Sequence, residues 1–337
     1  MKRMVFGFWF CIVSHAWLSQ SPLDFSEIDA YARNCPKDRQ TIASIVDYFQ
    51  AIETTPIEKA RLIYTWLTEF VAYDDKAFNT KKYGDYSPDA VVKSKLAVCA
   101  GFANVYQALG EKLGLDIVNI TGCAKGYEYE NDIGSDVEES INHAWNAIKI
   151  DGQWKIYDAT WGQGSAHTNR NGKLESTKEF SDHWFQVDPK VAIYSHFPIY
   201  YTHQYLEIPL TFERFVEMPQ LKPSHFLRQW LNPDEILMIA QSKSPMNFAD
   251  YYEVIDHGTV KAPIDRKLKK GKTYLFELQT PDLQNAFLVN SNEDLIPFTK
   301  HKETYTFSLN PKEPGEYQIV VHRKDDHRYT LLTYELE

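Results

Sequence analysis

The sequence contains only four cysteines in 337 residues, and no two of them are spaced like the C-x-x-C pairs of zinc or redox sites. It has no H-E-x-x-H motif and no glycine-rich loop of the type that binds phosphate groups, and its eleven histidines are scattered. Metal-dependent and nucleotide-dependent enzymes are therefore disfavoured. We expect no metal and no cofactor.

An excess of positive charge is also lacking. The chain carries 46 acidic against 36 basic residues, a formal net charge of -10. A protein that binds the phosphate backbone usually shows the opposite balance. Nucleic acid is therefore not an expected partner, whereas a cationic substrate would suit this charge.

No stretch of the sequence is long enough to cross a membrane as an apolar helix, so no stable membrane insertion is expected. An apolar run from Met4 to about Val13 follows the basic residues Lys2 and Arg3, which is typical of a signal peptide. We expect this segment, residues 1–20, to be removed. The mature protein is then predicted to be secreted or periplasmic.

Removal of that segment leaves three cysteines, Cys35, Cys99 and Cys123. In an oxidising compartment an odd number leaves at least one thiol unpaired. A bridge between Cys35 and Cys123 would leave Cys99 free, but nothing in the spacing requires that bridge.

Apolar residues recur at helical spacing in the first third of the chain. The clearest helix start is at Thr55, which can cap, with Pro56 suited to the first helical position and Glu58 completing a capping box. A later helix begins near Cys99 and ends at Gly114.

After Leu115 the pattern changes to that of strands. The segments HAWNAIKI and QWKIYDAT flank Asp151-Gly152, and an Asp-Gly pair between alternating runs is among the strongest hairpin signals. Helices followed by antiparallel strands predict an α+β fold, with helices packed on an antiparallel sheet.

Beyond residue 250 the pattern of apolar and polar residues changes again. The segments KTYLFELQT, NAFLVNS, ETYTFSLN and GEYQIVVHR alternate apolar and polar residues, as in a small all-β, Ig-like sandwich. We therefore expect a helix-and-sheet domain over residues 21–215, a linking segment over 216–250 and a β-sandwich domain over 251–337.

Cys99 stands at the start of a predicted helix, in AVCAGFANVYQAL. Cysteine is nucleophilic as the thiolate, which the N–H groups and dipole at a helix N-terminus stabilise. The alternative is that Cys99 packs as a small buried hydrophobe. A nucleophile also needs a base and a group that orients the base.

The predicted hairpin supplies both groups. With Asp-Gly as its loop, the register pairs Trp145 with Asp158 and His143 with Thr160, so His143 and Asp158 are diagonal neighbours on one face. Each also has a structural interpretation: His143 as a hydrogen-bonded core histidine, and Asp158 as a carboxylate that caps the following turn. Together with Cys99 they form a triad in the order Cys, His, Asp.

At these residues the sequence resembles the transglutaminase-like superfamily, through TWLTEFVAYD, AVCAGFANVYQAL and NHAWNAIKIDGQWKIYDATWG. Within it the likeness is greatest to the kyphoscoliosis peptidase branch, whose extension after the aspartate strand is similar to DHWFQVDPKVAIYSHFP, and to bacterial secreted proteins with this domain. The resemblance covers about Asp29 to Leu210 and implies a papain-like core. It also implies Cys99 as nucleophile, His143 as general base and then acid, and Asp158 as the group that orients His143.

Other site residues carry a weaker signal. The backbone N–H of Cys99 and one upstream side chain should supply an oxyanion hole, and Tyr73 is the preferred candidate. Trp66 falls on the apolar stripe of its helix and is assigned to the core. Trp145 and Trp161 flank the hairpin site and could wall the substrate cleft, with buried aromatic packing as the alternative.

The function expected is that of a secreted, cysteine-dependent acyl-transfer enzyme that acts on protein or peptide amides through a thioester. Family likeness favours hydrolysis, and hence a peptidase or amidase, over transfer to an amine by a transglutaminase. The alternative from another class is a secreted binding protein with a vestigial site, whose C-terminal domain binds a protein or glycan partner.

Overall fold

The computed structural model describes residues 23–127, 129, 134, 136–218, 221–242, 247–252 and 254–336. The predicted signal peptide, residues 1–20, lies outside the described residues.

The helices of this part of the chain lie within the first 241 residues. They are α1 (Ser26–Arg33), α2 (Ile42–Phe49), α3 (Pro56–Phe70), α4 (Asp75–Thr80), α5 (Pro88–Ser94), α6 (Cys99–Lys112), α7 (Ala159–Gln163), α8 (Pro189–Ala192), α9 (Phe212–Glu217), α10 (Pro223–Leu227) and α11 (Pro233–Gln241).

The strands of the described residues range from two to nine residues in length. They are β1 (Ala72–Tyr73), β2 (Leu96–Ala97), β3 (Asp116–Ala124), β4 (His143–Ile150), β5 (Gln153–Tyr157), β6 (Gly164–Thr168), β7 (Leu174–Lys178), β8 (His196–Pro198), β9 (Asp250–Tyr251), β10 (Thr259–Lys261), β11 (Lys267–Leu268), β12 (Tyr274–Gln279), β13 (Leu283–Val289), β14 (Leu295–Pro297), β15 (Thr299–His301), β16 (Thr304–Leu309), β17 (Gly315–Arg323) and β18 (Arg328–Leu336).

Helix α3 begins as the sequence predicts. The Thr55 hydroxyl accepts a hydrogen bond from the Glu58 backbone, the Glu58 carboxylate accepts one from the Thr55 backbone, and Pro56 occupies the first helical position. This capping box satisfies N–H groups that a helix start otherwise leaves unpaired.

A four-stranded antiparallel sheet in the order β5-β4-β3-β8 forms the centre of the N-terminal part. Helix α6 packs on β3 and β4 and also contacts α3. The apolar side chains buried in this layer are Phe102, Val105, Tyr106 and Leu109 of α6 and its C-cap Leu113. This helical layer over an antiparallel sheet confirms the predicted α+β class.

The β4–β5 hairpin has the predicted loop. Asp151 and Gly152 both have positive φ, 49° and 79°, as a type I′ turn requires. The register runs from Ile150 opposite Gln153 to Asn146 opposite Tyr157.

The predicted pairings of Trp145 with Asp158 and of His143 with Thr160 are wrong. Strand β5 ends at Tyr157, and Thr160 lies in α7, which Asp158 caps. His143 instead pairs with Gly122 of β3. The helix begins here because the Asp158 carboxylate accepts the first free backbone N–H groups, which ends the ladder.

The C-terminal part is rich in strands. One sheet has the order β10-β12-β16-β15, and another has the order β11-β18-β17-β13-β14, with β9 also paired to β18. Helices α9 to α11 precede these sheets, in and just before the predicted linking segment. The division of the chain into domains stays a prediction.

No helix among the described residues is both long and apolar enough to span a bilayer. Cys35, Cys99 and Cys123 are all free thiols, with Cys35 and Cys123 buried and Cys99 partly exposed. The bridge considered between Cys35 and Cys123 is therefore not formed.

Candidate active site

Cys99 is the first residue of α6, directly after Val98, the N-cap. The chain reaches this point from β2, and the turn is tight: a Cβ on Gly101 would lie 2.6 Å from the Cβ of Ala97. Only glycine fits there. The thiol therefore stands at the positive end of the 14-residue helix and, unlike the other two cysteines, is partly exposed.

His143, the first residue of β4, contacts Asp158, which follows the last residue of β5. The His143 Nε2 and Asp158 Oδ2 atoms are 2.7 Å apart, and both side chains are buried. Since a carboxylate only accepts hydrogen bonds, Nε2 carries the hydrogen.

The other oxygen of Asp158 has a structural task. Oδ1 accepts the backbone N–H groups of Thr160 and Trp161 at 2.9 and 3.0 Å, which caps α7. The carboxylate is thus fixed in orientation by its own helix while Oδ2 faces His143. Asp158 therefore both caps the following helix and contacts His143, the two roles that the sequence analysis considered for it.

The Cys99 thiol lies near the His143 side chain, close enough to contribute to the raised pKa of that residue. Because Nε2 of His143 is bound to Asp158, the nitrogen left for the thiol is Nδ1. The structure therefore brings Cys99, His143 and Asp158 together in the order thiol, imidazole, carboxylate.

The electrostatics of the pair favour charge on both partners. Burial lowers the pKa of His143, but the charge and hydrogen bond of Asp158, with a smaller effect of Cys99, outweigh it and raise that pKa to about 10. Burial raises the pKa of Asp158, but His143 and His196 outweigh it and hold that pKa well below its usual range. An imidazolium facing the thiol stabilises a thiolate.

His196, in β8, is a site residue that the sequence reasoning missed. Its Nε2 lies 3.1 Å from the same Oδ2 of Asp158, and its Nδ1 lies 2.9 Å from the Ser195 hydroxyl. Strand β8 has three residues, too few for a periodic pattern, and it pairs with β3 far back along the chain. The only available signal was its place in the extension DHWFQVDPKVAIYSHFP.

Aromatic rings surround the two imidazoles. Trp145 is buried, with its ring centroid 4.9 Å from that of His196 and 5.9 Å from that of His143. Trp161 is partly exposed and lies 4.4 and 5.3 Å from the same two rings. Of the two predicted cleft residues, Trp161 retains more surface for a substrate, while Trp145 packs under the histidines.

Tyr73 lies beside the nucleophile. Strand β1 pairs in parallel with β2, with Tyr73 opposite Ala97. Burial, with a smaller contribution from the nearby Cys99, raises the pKa of Tyr73 well above its usual value, so the hydroxyl stays protonated and can donate. Its oxyanion role stays a prediction. Trp66 is buried in the core, as expected.

His143, Asp158 and His196 also form a cluster whose possible metal-ligating atoms lie within 4.8 Å of one another. Both Nε2 atoms, however, lie at hydrogen-bonding distance from one carboxylate oxygen. We therefore treat the cluster as a hydrogen-bonded network.

Comparison with known proteins finds a family match over part of the chain. Residues 43–159 match the profile of the transglutaminase-like superfamily, a span that contains Cys99, His143 and Asp158. This part of the chain is a transglutaminase-like domain, as the sequence motifs predict.

Named relatives carry the same likeness. Kyphoscoliosis peptidase of Mus musculus is 26% identical over 201 residues, which cover 59% of this chain and 30% of that protein. Hillarin of Drosophila melanogaster is 26% identical over 222 residues, which cover 64% of this chain and 27% of that protein. The match thus spans less than a third of the length of these curated relatives.

A crystal structure of a candidate cysteine protease from Cytophaga hutchinsonii is 24% identical, covering 46% of this chain and 47% of that one, with a TM-score of 0.27.

Proposed function

We propose that this protein is a cysteine-dependent acyl-transfer enzyme that acts on protein or peptide amides. The observation that carries the proposal is the placement of Cys99 beside His143, whose Nε2 lies 2.7 Å from Asp158 Oδ2. Cys99 is partly exposed, and Asp158 is buried. A substrate can therefore reach the sulfur while the base stays oriented.

The first half-reaction follows from this geometry. The Cys99 proton passes to Nδ1 of His143, which forms the imidazolium that the raised pKa of this residue favours, and the sulfur attacks the amide carbon to form a C–S bond. The Cys99 backbone N–H and the Tyr73 hydroxyl are the candidate donors to the developing oxyanion. His143 then gives its proton to the departing nitrogen, the C–N bond breaks, and a thioester remains on Cys99.

In the second half-reaction an acceptor attacks the thioester. His143 takes the acceptor's proton, the C–S bond breaks, and the thiol is regenerated. With water the product is a carboxylic acid, and with an amine it is a new amide. We propose hydrolysis, because two of the matched relatives are named as peptidases.

Mass spectrometry of amide-bearing peptides incubated with a tagged primary amine tests this proposal. We expect the wild-type protein to cleave peptide, and Cys99→Ala to leave peptide and tag unchanged. Attachment of the tag in place of cleavage would assign a transglutaminase. A wild-type protein that does neither, and whose Cys99 resists iodoacetamide at about pH 6, would overturn the proposal in favour of a binding protein.

We further propose that the mature protein is exported, on the strength of the basic start and apolar run within residues 1–20. The mass of the protein recovered from its native host tests this. Loss of about 20 N-terminal residues supports export, and an intact N-terminus contradicts it.

A further inference from the structure

His196 contacts the triad at its carboxylate end. Its Nε2 meets Asp158 Oδ2 at 3.1 Å, beside the 2.7 Å contact of His143 with the same oxygen. The two imidazole centroids are 5.5 Å apart and the rings are tilted by 58°, so they approach the oxygen from different directions. Oδ2 is therefore held by two side chains, and Oδ1 by two backbone N–H groups.

The contacts of the two ring nitrogens determine the tautomer of His196. Burial is the main cause that lowers the pKa of His196 below its usual value, so the ring is neutral at about pH 7. Its hydrogen must lie on Nε2, because Asp158 only accepts. Nδ1 is then an acceptor, and the Ser195 hydroxyl donates to it at 2.9 Å in preference to the Ala192 carbonyl at 3.3 Å.

We propose that His196 is a positioning residue for acyl transfer, whose Nε2–H holds the Asp158 carboxylate in line with His143. This inference rests on the proposed function and adds a residue to it. Ser195 supports the arrangement by holding the His196 ring in the donating tautomer. The network then runs Cys99, His143, Asp158, His196, Ser195.

The groups that face this carboxylate determine the expected direction of change. His143 from β4 and His196 from β8 both lower the pKa of Asp158, while burial raises it. The Asp158 charge also contributes to the raised pKa of Tyr64 from α3, and Cys99 lies near His143. Loss of the His196 donor should therefore raise the pKa of Asp158, so the triad loses its charged carboxylate at a higher pH.

The test measures the rate at which iodoacetamide alkylates Cys99 between about pH 4 and about pH 8 in wild type, His196→Leu and His196→Gln. We expect His196→Leu to slow alkylation at about pH 6 by about tenfold or more, the effect of one lost hydrogen bond to a charged group, and to move the acid limb to higher pH. His196→Gln places an amide N–H near the position of the His196 Nε2–H. It should restore most of the alkylation rate and most of the wild-type acid limb.

His203→Leu is the matched control. His203 lines the same small cavity as His196, and no hydrogen bond joins it to Asp158. We expect it to move neither the rate nor the acid limb. Two results would show that His196 is only a packing residue and would overturn the proposal. One is an equal change of alkylation rate and acid limb in His196→Leu and His203→Leu. The other is a loss of alkylation rate in His196→Gln as large as in His196→Leu.

Histidine-detected NMR of the same proteins separates this inference from the proposed function. The His143 resonances should sense Asp158 protonation at a higher pH in His196→Leu, and Ser195→Ala should shift it less in the same direction. Ser195→Ala also serves if His196→Leu does not fold. If Cys99 of the wild-type protein does not react, the proposed enzyme function is overturned. If Cys99 reacts with the same pH profile in the wild type and in all variants, only the proposed role of His196 is overturned.

Discussion

Asp158 binds different partners through its two carboxylate oxygens. Oδ1 caps α7 and Oδ2 receives the two imidazoles. Substitutions can separate these tasks, because asparagine is also a good N-cap but carries no charge, whereas alanine has neither property.

We expect Asp158→Asn and Asp158→Ala both to slow Cys99 alkylation and amide cleavage, by about 10² to 10⁴-fold, as for other orienting carboxylates. Asp158→Ala should lose about 1 kcal/mol more unfolding free energy than Asp158→Asn, since it also removes the cap. Alkylation rates and urea denaturation measure the two effects. Full reactivity in Asp158→Asn would remove Asp158 from the proposed triad.

The raised pKa of His143 predicts a pH dependence of stability. It is about 10 in the folded protein, and the usual value of about 6.5 applies to the unfolded chain. The contribution of His143 is therefore complete below about pH 6.5 and is lost as the pH rises towards about 10.

Unfolding free energies of wild type and His143→Gln, measured from about pH 6 to about pH 10, check this. The difference between the two proteins should shrink by roughly 2–4 kcal/mol across that window. A constant difference would show that His143 is not charged in the folded state.

The β4–β5 hairpin shows how far local sequence determined the elements. The Asp-Gly loop and the register up to Tyr157 were predictable, because both depend on neighbouring residues. The end of β5 was not, since it depends on Asp158 capping α7 rather than continuing the ladder. The predicted proximity of His143 and Asp158 does not depend on this pairing, because α7 begins only after Asp158.

We expect Gly152→Ala to lower the unfolding free energy by about 1–2 kcal/mol, because a Cβ is strained at φ 79° even though no atom lies within 4 Å of it. Gly84→Ala is the control: it also has open space around it, without a positive φ. Chemical denaturation should show a change within about 0.5 kcal/mol for Gly84→Ala. Equal effects of the two substitutions would contradict the turn assignment.

At the scale of the whole molecule, an ion network around the buried Arg61 joins separate segments. Arg61 of α3 donates to both oxygens of Asp29 in α1 at 2.6 Å, and also contacts Asp182. Asp182 opens a short turn that ends at Trp184, whose ring lies 4.9 Å from that of His196. The helical layer is thus tied to the chain segment that packs against the site.

We expect Arg61→Met to cost about 3–5 kcal/mol of unfolding free energy, because it leaves the buried Asp29 carboxylate with only the more distant Arg33, 3.9 Å away, as a cation. Lys261→Met removes an exposed partner from a surface pair with Glu277 and should cost no more than about 1 kcal/mol. Thermal or urea unfolding compares the two variants. A small loss in Arg61→Met would mean that the network adds little.

The site was predictable only where its residues lie in recognisable motifs. Cys99, His143 and Asp158 fall within the matched residues 43–159, and each belongs to a helix or hairpin that the local pattern defines. His196 lies outside that span and reaches Asp158 only through the pairing of β3 with β8. Such non-local contacts leave no periodic trace in the sequence.

The order of the central sheet, β5-β4-β3-β8, also has a consequence for biosynthesis. Chains fold from the N-terminus as they leave the ribosome, and α6 with its thiol emerges before either strand of the hairpin exists. The sulfur then has no base to take its proton. A nascent polypeptide should therefore remain inert towards surrounding amides until the later strands have docked.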